Sequence, residues 1–336
     1  MFNKIYDKNN KKIKSFIITI FILLALLITN FIELPYYIEM SGGVINLENR
    51  ITIDNSYKSS GSLNMSYVSS LKANIPFYLI ALINKDWDLV KIEDEIAPNE
   101  TEEENEIRNK ILLSESKDEA IILAYNKALK NIDIISNDIY VTYIYEMADT
   151  NLKIGDKIVK IDDKNVSSLN ELKEYINTKE INDKVKIHVI NKDKEEVREA
   201  KIIMVDGNKI IGIMISDKYE YVTNPKIEFK TNSSESGPSG GLMISLAVYN
   251  KLIKEDITKG RKIAGTGTID IDGNVGSISG VKYKLKGAVK EKCDIFLVPS
   301  GENYEEAMKI KKENNYSIKI LDVSTFDEAL EKLANN

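Results

Sequence analysis

An uncharged apolar run near the N-terminus is the first strong feature of the hydrophobic pattern. Residues 15–32 consist mostly of Ile, Leu and Phe, and a run of about 18 such residues is near the lower limit for crossing a bilayer as a helix. Five lysines precede this run, against Asp7 as the one acidic residue, and such a positive excess favours a cytoplasmic N-terminus. The pattern predicts a cytoplasmic segment over residues 1–14 and a transmembrane anchor over residues 15–33, with the remaining chain outside the membrane.

A cleaved signal peptide is the alternative interpretation of this run. The run is long for the apolar region of a signal peptide, and residues 33–37 offer no small-residue cleavage site. Tyr36 and Tyr37 would suit the interface between lipid and water. We therefore expect an uncleaved anchor.

Beyond the anchor, strand periodicity gives way to helical periodicity. Alternating apolar residues over 43–68, interrupted by turn residues, predict a β-hairpin or two strands. Apolar residues at helical spacing predict helices over about 76–83 and 102–130. The acidic stretch 93–106 is typical of an exposed loop that enters the second helix, with its charges in solvent.

Strand patterns dominate residues 132–215. The motif L-K-x-G-D-x-I-x-x-I-D over 152–162, followed by Val166 and a predicted helix over 170–178, resembles a PDZ domain. That module binds peptides by adding a ligand strand to the edge of its sheet. The family's carboxylate-binding Gly-Leu-Gly-Phe loop has no counterpart before the Tyr140 strand, so the resemblance implies a groove for an extended segment and leaves the capture of a free C-terminus open. A purely structural spacer is the alternative.

A glycine-rich turn that opens onto an apolar helix holds the candidate nucleophile. Residues 237–241 fit the G-x-S-x-G pattern of a nucleophile elbow, with Ser239 at its centre. The predicted helix over 239–254 places this serine at a helix N-terminus, where backbone amides and the helix dipole can hold an oxyanion. Gly237 and Gly240 would let a substrate backbone approach closely. An N-cap serine in a glycine turn is the alternative.

A nucleophilic serine needs a base, and the sequence offers few candidates. The single histidine, His188, lies before the serine in an alternating strand pattern, whereas Ser–Lys pairs are a known variant of the same chemistry. A second glycine-rich turn over 276–280 leads into a helix with Lys282 in its first turn. The helix dipole and burial would both disfavour the ammonium form there, as a general base requires. Lys284, Lys286 and Lys290 of this helix are predicted to lie in solvent, although residue chemistry alone does not separate Lys284 from Lys282 as the base.

Three motifs in this C-terminal region together resemble the proteolytic domain of Lon-type serine proteases. The family's Gly-Pro-Ser-x-Gly turn matches at Ser239, its T-G strand at Thr266 and its G-[GS]-[LV]-K helix entry at Lys282. The resemblance implies a serine-type endopeptidase with a Ser239–Lys282 dyad, in which Thr266 forms a hydrogen bond near the lysine. Ser236 and Thr268 depart from the aspartate and glutamate that are usual in the family.

The whole arrangement resembles the YlbL/SepM-like family of bacterial membrane-anchored peptidases. This resemblance implies an α+β fold in which a PDZ domain over 132–215 interrupts a Lon-type proteolytic domain over 40–131 and 216–334, behind one transmembrane helix. It implies ATP-independent cleavage of exported peptides or flexible protein segments outside the membrane, with the PDZ domain engaging substrate, and a homo-oligomer. A non-catalytic, membrane-tethered PDZ adaptor is the alternative, which Ser236 and Thr268 support.

Composition narrows the classes of function. The net charge of −6, without any basic stripe, argues against a nucleic-acid partner. The single cysteine, Cys293, excludes an internal disulfide and a multi-cysteine metal site, and its apolar surroundings predict a buried strand position. No G-x-x-x-x-G-K-[ST] loop occurs, so ATP hydrolysis is not expected. No metal or cofactor is predicted.

Overall fold

The computed structural model describes the backbone of residues 2–336 and the side chains of residues 13–24 and 26–336. Within it the chain divides into two compact units. The first unit contains the chain up to Ser41 together with Val68–Ala97, and the second contains Gly42–Tyr67 together with Pro98–Asn336.

Helices and strands alternate along the chain. The helices are α1 (Phe2–Thr29), α2 (Ile75–Ala81), α3 (Ile92–Glu95), α4 (Glu102–Lys127), α5 (Leu169–Asn177), α6 (Gly241–Leu252), α7 (Val281–Lys290), α8 (Glu302–Glu313) and α9 (Phe326–Asn335). The strands are β1 (Glu33–Asn46), β2 (Ile51–Ile53), β3 (Ser62–Asn74), β4 (Asp88–Lys91), β5 (Asn131–Ile144), β6 (Lys157–Ile161), β7 (Lys164–Asn165), β8 (Lys184–Asn191), β9 (Lys194–Lys201), β10 (Ile203–Val205), β11 (Asn208–Ile210), β12 (Ile213–Asn224), β13 (Ile227–Phe229), β14 (Lys262–Gly265), β15 (Thr268–Ile269), β16 (Val275–Gly276), β17 (Ile295–Pro299) and β18 (Lys319–Val323).

The first unit contains α1 and a small antiparallel pair, β1 with β4. Ile38, Ala73 and Ala81 form its buried core. Among the residues whose placement is described, no helix combines the length and the apolar character that a membrane span requires. The transmembrane anchor over 15–33 therefore stays a prediction. The side chains of the predicted cytoplasmic segment lie almost entirely outside the described residues.

A parallel sheet with helices on both faces forms the core of the second unit. β14 pairs in parallel with β3 on one side and with β17 on the other, and β17 pairs in parallel with β18. Successive strand residues point to opposite faces. Ile263 accordingly packs with α4, α6 and α9, whereas Ala264 packs with α7 and α8. The predicted mixture of helices and sheets is confirmed for these described residues.

Of the two alternatives predicted within 43–68, two strands form, and β2 and β3 do not pair with each other. β2 pairs with β13, whereas β3 lies between β14 and β1 in its sheet. The turn between them docks elsewhere: the Ser60 N–H donates to Asp256 Oδ2 (2.7 Å), and the Gly61 N–H donates to Thr258 Oγ1 (3.0 Å). These hydrogen bonds hold the turn on the segment that follows α6.

A second sheet with the strand order β12-β5-β6-β8-β9 forms over the region predicted to be a PDZ domain. Helix α5 covers its core through Leu172 and Ile176. The Asp156 side chain, which is 0% exposed, accepts from Arg198 Nε (3.1 Å), from the Lys153 N–H (2.8 Å) and from Asn191 Nδ2 (2.6 Å). Burial of a carboxylate is costly unless its oxygens are paired in this way.

Cys293 is buried just before β17, as its apolar surroundings predict. Burial raises the pKa of its thiol to about 11. Because the thiolate is the reactive form of cysteine, this residue serves packing and not chemistry.

We expect Asp156→Ala to destabilise the second sheet by about 3 kcal/mol, because Arg198 would keep its burial and lose its main partner. Hydrogen-exchange mass spectrometry over residues 139–191 of the full chain measures this as faster exchange. Asp163→Ala removes an exposed carboxylate from the same sheet and serves as the control. Equal exchange in the two variants would contradict the assigned role of Asp156.

Candidate active site

Ser239 lies where the end of β14 meets the start of α6. It precedes Gly240, the N-cap residue of α6, and is half-buried. Its backbone carbonyl accepts two hydrogen bonds, from Thr266 Oγ1 (3.0 Å) and from the Gly267 N–H (2.8 Å). The residues that follow β14 therefore fix the main chain of the candidate nucleophile.

Helix α4 holds the other side of this turn. The Gly237 N–H donates to the Asn109 carbonyl (2.9 Å), and Ser116 Oγ donates to the Pro238 carbonyl (2.7 Å). The start of α4 is itself secured by a capping box, in which Thr101 and Glu104 satisfy each other's backbone N–H groups. The turn is thus clamped between α4 and the end of β14.

Gly237 and Gly240 serve the packing of the turn itself. Gly237 has a φ of +83°, in the left-handed region that favours glycine. A Cβ at Gly240 would overlap Met65 Sδ, so any other residue at this position would force the Met65 side chain or the turn to shift. Within the described chain, the N–H groups of Ser239 and Gly240 donate to no backbone carbonyl, whereas the Gly237 N–H does.

Lys282 and Lys284 of α7 differ in burial. The sequence analysis predicted the opposite of what the structure shows. Lys282 is exposed and lies with its Nζ 5.5 Å from the centre of the Tyr283 ring. Lys284, which was predicted to lie in solvent, is 4% exposed. Val281 and Leu285 pack α7 against the sheet, and position 284 lies on the same side of the helix.

Thr266 is fully buried, and its hydroxyl donates to the backbone of Ser239. The sequence analysis expected it beside the lysine instead. A hydroxyl also has lone pairs that can accept a hydrogen bond, so both roles are compatible with one side chain. The T-G motif does not predict the contact of Thr266 with Ser239.

The residues before the serine are anchored by an ion pair. Arg50 Nη2 lies 2.7 Å from Glu235 Oε1, and Glu235 Oε2 accepts from the Asn232 N–H (3.1 Å). Ser236, where the Lon family usually has aspartate, is exposed. Thr268, the other departure, lies in β15 and is half-buried. No local motif marks Arg50, because it comes 185 residues before its partner.

A group of carboxylates links α4 to β12. The Asp217 N–H donates to Glu115 Oε1 (2.8 Å), and the Tyr221 hydroxyl donates to Asp118 Oδ1 (3.2 Å). Burial, followed by the nearby charges of Glu115 and Asp270, raises the pKa of Glu119 to about 8. Burial also raises the pKa values of Glu115 and Asp118. The same helix that clamps the nucleophile turn therefore carries protonatable groups against the second sheet.

β12 is one of the two edge strands of the second sheet, and β9 is the other. β5, which contains Tyr140, has β12 on one side and β6 on the other. The preceding turn ends in Gly212 with a φ of +74°. Ile213 and Ile215 pack, partly exposed, against the core that α5 covers. The sequence analysis looked for the carboxylate-binding glycine loop before the strand of Tyr140. That strand, β5, is internal and offers no edge to a peptide.

Removing the charge at position 119 should make stability less dependent on pH. The pKa of Glu119 in the folded chain, about 8, lies above its ordinary value of 4.5. Between these pH values the folded state binds more protons than the unfolded state, so stability falls as the pH rises. Glu119→Gln cannot ionise, and we expect it to unfold at about 2–4 °C higher temperature than wild type at pH 9 but not at pH 5.

Thermal unfolding at the two pH values measures this difference. Glu306→Gln, on an exposed face of α8, is the matched control and should follow the wild type at both. A Glu119→Gln effect of the same size at pH 5 and pH 9 would rule out the ionisation as its cause.

Comparison with known proteins identifies both folded regions. The PDZ domain family matches residues 130–203, and the family of the Lon protease (S16) C-terminal proteolytic domain matches residues 230–335. The PDZ domain of the SdrC-like protein from Listeria monocytogenes is 33% identical, with a TM-score of 0.22, over 23% of this chain and 85% of that structure.

Individual Lon proteases match only part of this chain. The Lon protease of Campylobacter jejuni is 37% identical over 102 residues, which are 29% of this chain and 12% of that protein. The archaeal Lon protease of Halobacterium salinarum is 30% identical over 95 residues, which are 28% of this chain and 13% of that protein. The chain thus spans about an eighth of the length of these curated relatives. It contains a PDZ domain followed by a Lon-type proteolytic domain of the serine peptidase class.

Proposed function

We propose that the chain is an ATP-independent serine endopeptidase in which Ser239 attacks the peptide carbonyl and Lys284 is the general base. The observation that carries the proposal is the clamped turn, which holds Ser239 at the N-terminus of α6. The match to a Lon-type proteolytic domain supports the reaction class. Peptides and flexible protein segments are the proposed substrates, because the sequence contains no ATP-binding loop to power unfolding.

Burial favours Lys284 over Lys282 as the base. An amine accepts a proton only in its uncharged form, and removal from water disfavours the ammonium form. Lys284 is 4% exposed, whereas Lys282, which the sequence analysis selected, is exposed. Both lie near the positive N-terminus of α7, so the helix dipole does not separate them.

The proposed reaction follows the general serine–base scheme. Uncharged Lys284 takes the proton of Ser239 Oγ as this oxygen bonds to the substrate carbonyl carbon. The oxyanion lies against the N–H groups of Ser239 and Gly240 and the positive end of α6. The lysine then gives its proton to the leaving amine. It next deprotonates the water that hydrolyses the acyl-enzyme, and this step regenerates Ser239.

We further propose that substrate reaches the serine through the PDZ domain. β12 offers an unpaired sheet edge beside Ile213 and Ile215, close to the core that α5 covers. An extended peptide can add to such an edge as one more strand. The alternative function is a PDZ adaptor that holds peptides without cleaving them. In that function Ser239 would have no catalytic role.

We propose from the strand pairing that the proteolytic domain is formed by two separate parts of the sequence. Strand β3 pairs with β14, and α4 packs with α6 in one core, although the PDZ region separates these segments in sequence. The residues before the PDZ domain would therefore complete the fold of the proteolytic domain. Self-association stays a prediction that rests on the family resemblance.

A single-pass anchor formed by α1, with both folded domains outside the membrane, is also proposed. The described apolar side chains of α1 are exposed, including Phe16 and Phe21. A contiguous apolar surface of this kind is typical of a segment that contacts lipid or another apolar partner.

Substitution of the two lysines separates the candidates for the base. We expect Ser239→Ala and Lys284→Met each to lower the rate of casein cleavage by at least about 1,000-fold, because both groups act in one proton transfer. Lys282→Met should stay within about threefold of wild type. Lys290→Met, an exposed position on the same helix, is the control.

The opposite ranking, with Lys282→Met inactive and Lys284→Met active, would restore the dyad that the sequence analysis predicted. Normal cleavage by Ser239→Ala would refute the peptidase. A wild-type chain that binds casein without cleaving it, and whose Ser239 resists a serine-reactive probe, would be the adaptor.

Fractionation tests the proposed anchor. The full chain expressed in bacteria should sediment with membranes and resist extraction by alkaline carbonate, whereas a chain that starts at residue 33 should not. Protease added outside intact spheroplasts should digest the PDZ region of the full chain. Protection of that region would contradict the proposed orientation.

A further inference from the structure

Ser66 on β3 carries a buried hydroxyl that the proposed mechanism does not use. The residue is 1% exposed, and within the described chain its Oγ has no hydrogen-bond partner. Buried side-chain polar atoms are nearly always paired, and an unpaired one costs about 1–3 kcal/mol. Such an exception in a folded enzyme calls for a functional explanation.

Strand pairing places Ser66 beside Thr266. β3 and β14 run in parallel with Met65 opposite Gly265, and the next residue of each segment is Ser66 and Thr266. Thr266 in turn holds the carbonyl of Ser239. Ser66 therefore lies in the strand next to the residue that fixes the nucleophile.

The alternation of β3 turns Ser66 toward α7. Met65 packs on the face of the sheet that α6 covers and lies against Gly240. Its neighbour Ser66 accordingly points to the other face, where Ala264 packs with Val281 of α7. That is the side of α7 on which Lys284 is buried.

We propose that Ser66 is a positioning residue, whose hydroxyl oxygen accepts a hydrogen bond from Lys284 Nζ and directs the amine toward Ser239. This inference rests on the proposed function, with Lys284 as the base. An uncharged amine has two N–H groups and one lone pair. Its lone pair faces the Ser239 hydroxyl only if acceptors hold the N–H groups. The Thr266 hydroxyl oxygen can accept one N–H while it donates to Ser239, and Ser66 accepts the other.

The pH profile of cleavage distinguishes positioning from support of the fold. A hydroxyl oxygen stabilises an ammonium group more than an uncharged amine, so its loss makes the base easier to deprotonate. In Ser66→Ala we expect kcat to fall about 10-fold with KM nearly unchanged. We also expect the acidic limb of the kcat profile to move to lower pH by about one unit. Ser66→Thr keeps the hydroxyl and should restore both the rate and the limb.

Ser245→Ala is the matched control for loss of a buried hydroxyl. Ser245 is 0% exposed, and its Oγ donates to the Leu242 carbonyl within α6. Its replacement should lower the unfolding temperature and leave the acidic limb in place. Ser66→Cys, with nearly the same shape, takes the place of Ser66→Ala under the same criteria if the alanine variant does not fold.

Each result either supports or overturns the inference. An acidic limb that stays at its wild-type pH in a folded Ser66→Ala or Ser66→Cys variant overturns it, whatever the change in rate. Equal rate losses in Ser66→Ala and Ser66→Thr also overturn it, because they would make the site sensitive only to shape. Cleavage that persists in Ser239→Ala would instead refute the proposed function, so the two failures are distinguishable.

Discussion

The hydrogen bonds that clamp the turn around Ser239 are the constraint on which the site depends. α4 binds the Gly237 N–H and the Pro238 carbonyl, and the segment after β14 binds the Ser239 carbonyl twice. With those groups engaged, the N–H groups of Ser239 and Gly240 keep a fixed direction. Oxyanion donors accelerate a reaction chiefly because they are in place before charge develops. Gly240 also packs closely on Met65, and a side chain at position 240 would force Met65 or the turn to move.

Helix α4 is shared between this turn and the PDZ domain. Ser116 of α4 binds the nucleophile turn. The nearby residues Glu115 and Asp118 of the same helix bind β12. The arrangement has an electrostatic cost, since several carboxylates lie close together and partly out of water. Protonation of Glu119 near neutral pH relieves part of that cost. One helix therefore contacts both the nucleophile turn and the second sheet.

The sequence predicted the helices and strands well, but it predicted poorly which segments contact one another. Helices α4, α5, α6 and α7 follow from apolar spacing, and Ser239 follows from its glycine turn. The burial predicted for Lys282 and Lys284 was wrong, because two residues turn a helix by about 200° and so place these side chains on different faces. The spacing of Val281 and Leu285 carried the signal, since position 284 belongs to their side. The role of Ser116 could not be predicted from the sequence, because its partner Pro238 lies 122 residues away and a single serine in a helix matches no motif.

Strand order explains the remaining differences. Two strands form within 43–68, but β2 pairs with β13 and β3 pairs with β14, both from beyond the PDZ domain. Local alternation holds no information about such distant partners. The same holds for the proposed peptide-binding edge, since β5 is internal because β12, from later in the chain, pairs with it. This late pairing has a structural consequence. β12, an edge strand of the second sheet, runs on into β13 and then into the turn of Ser239. A peptide that pairs with β12 would therefore bind the segment that leads to the candidate nucleophile.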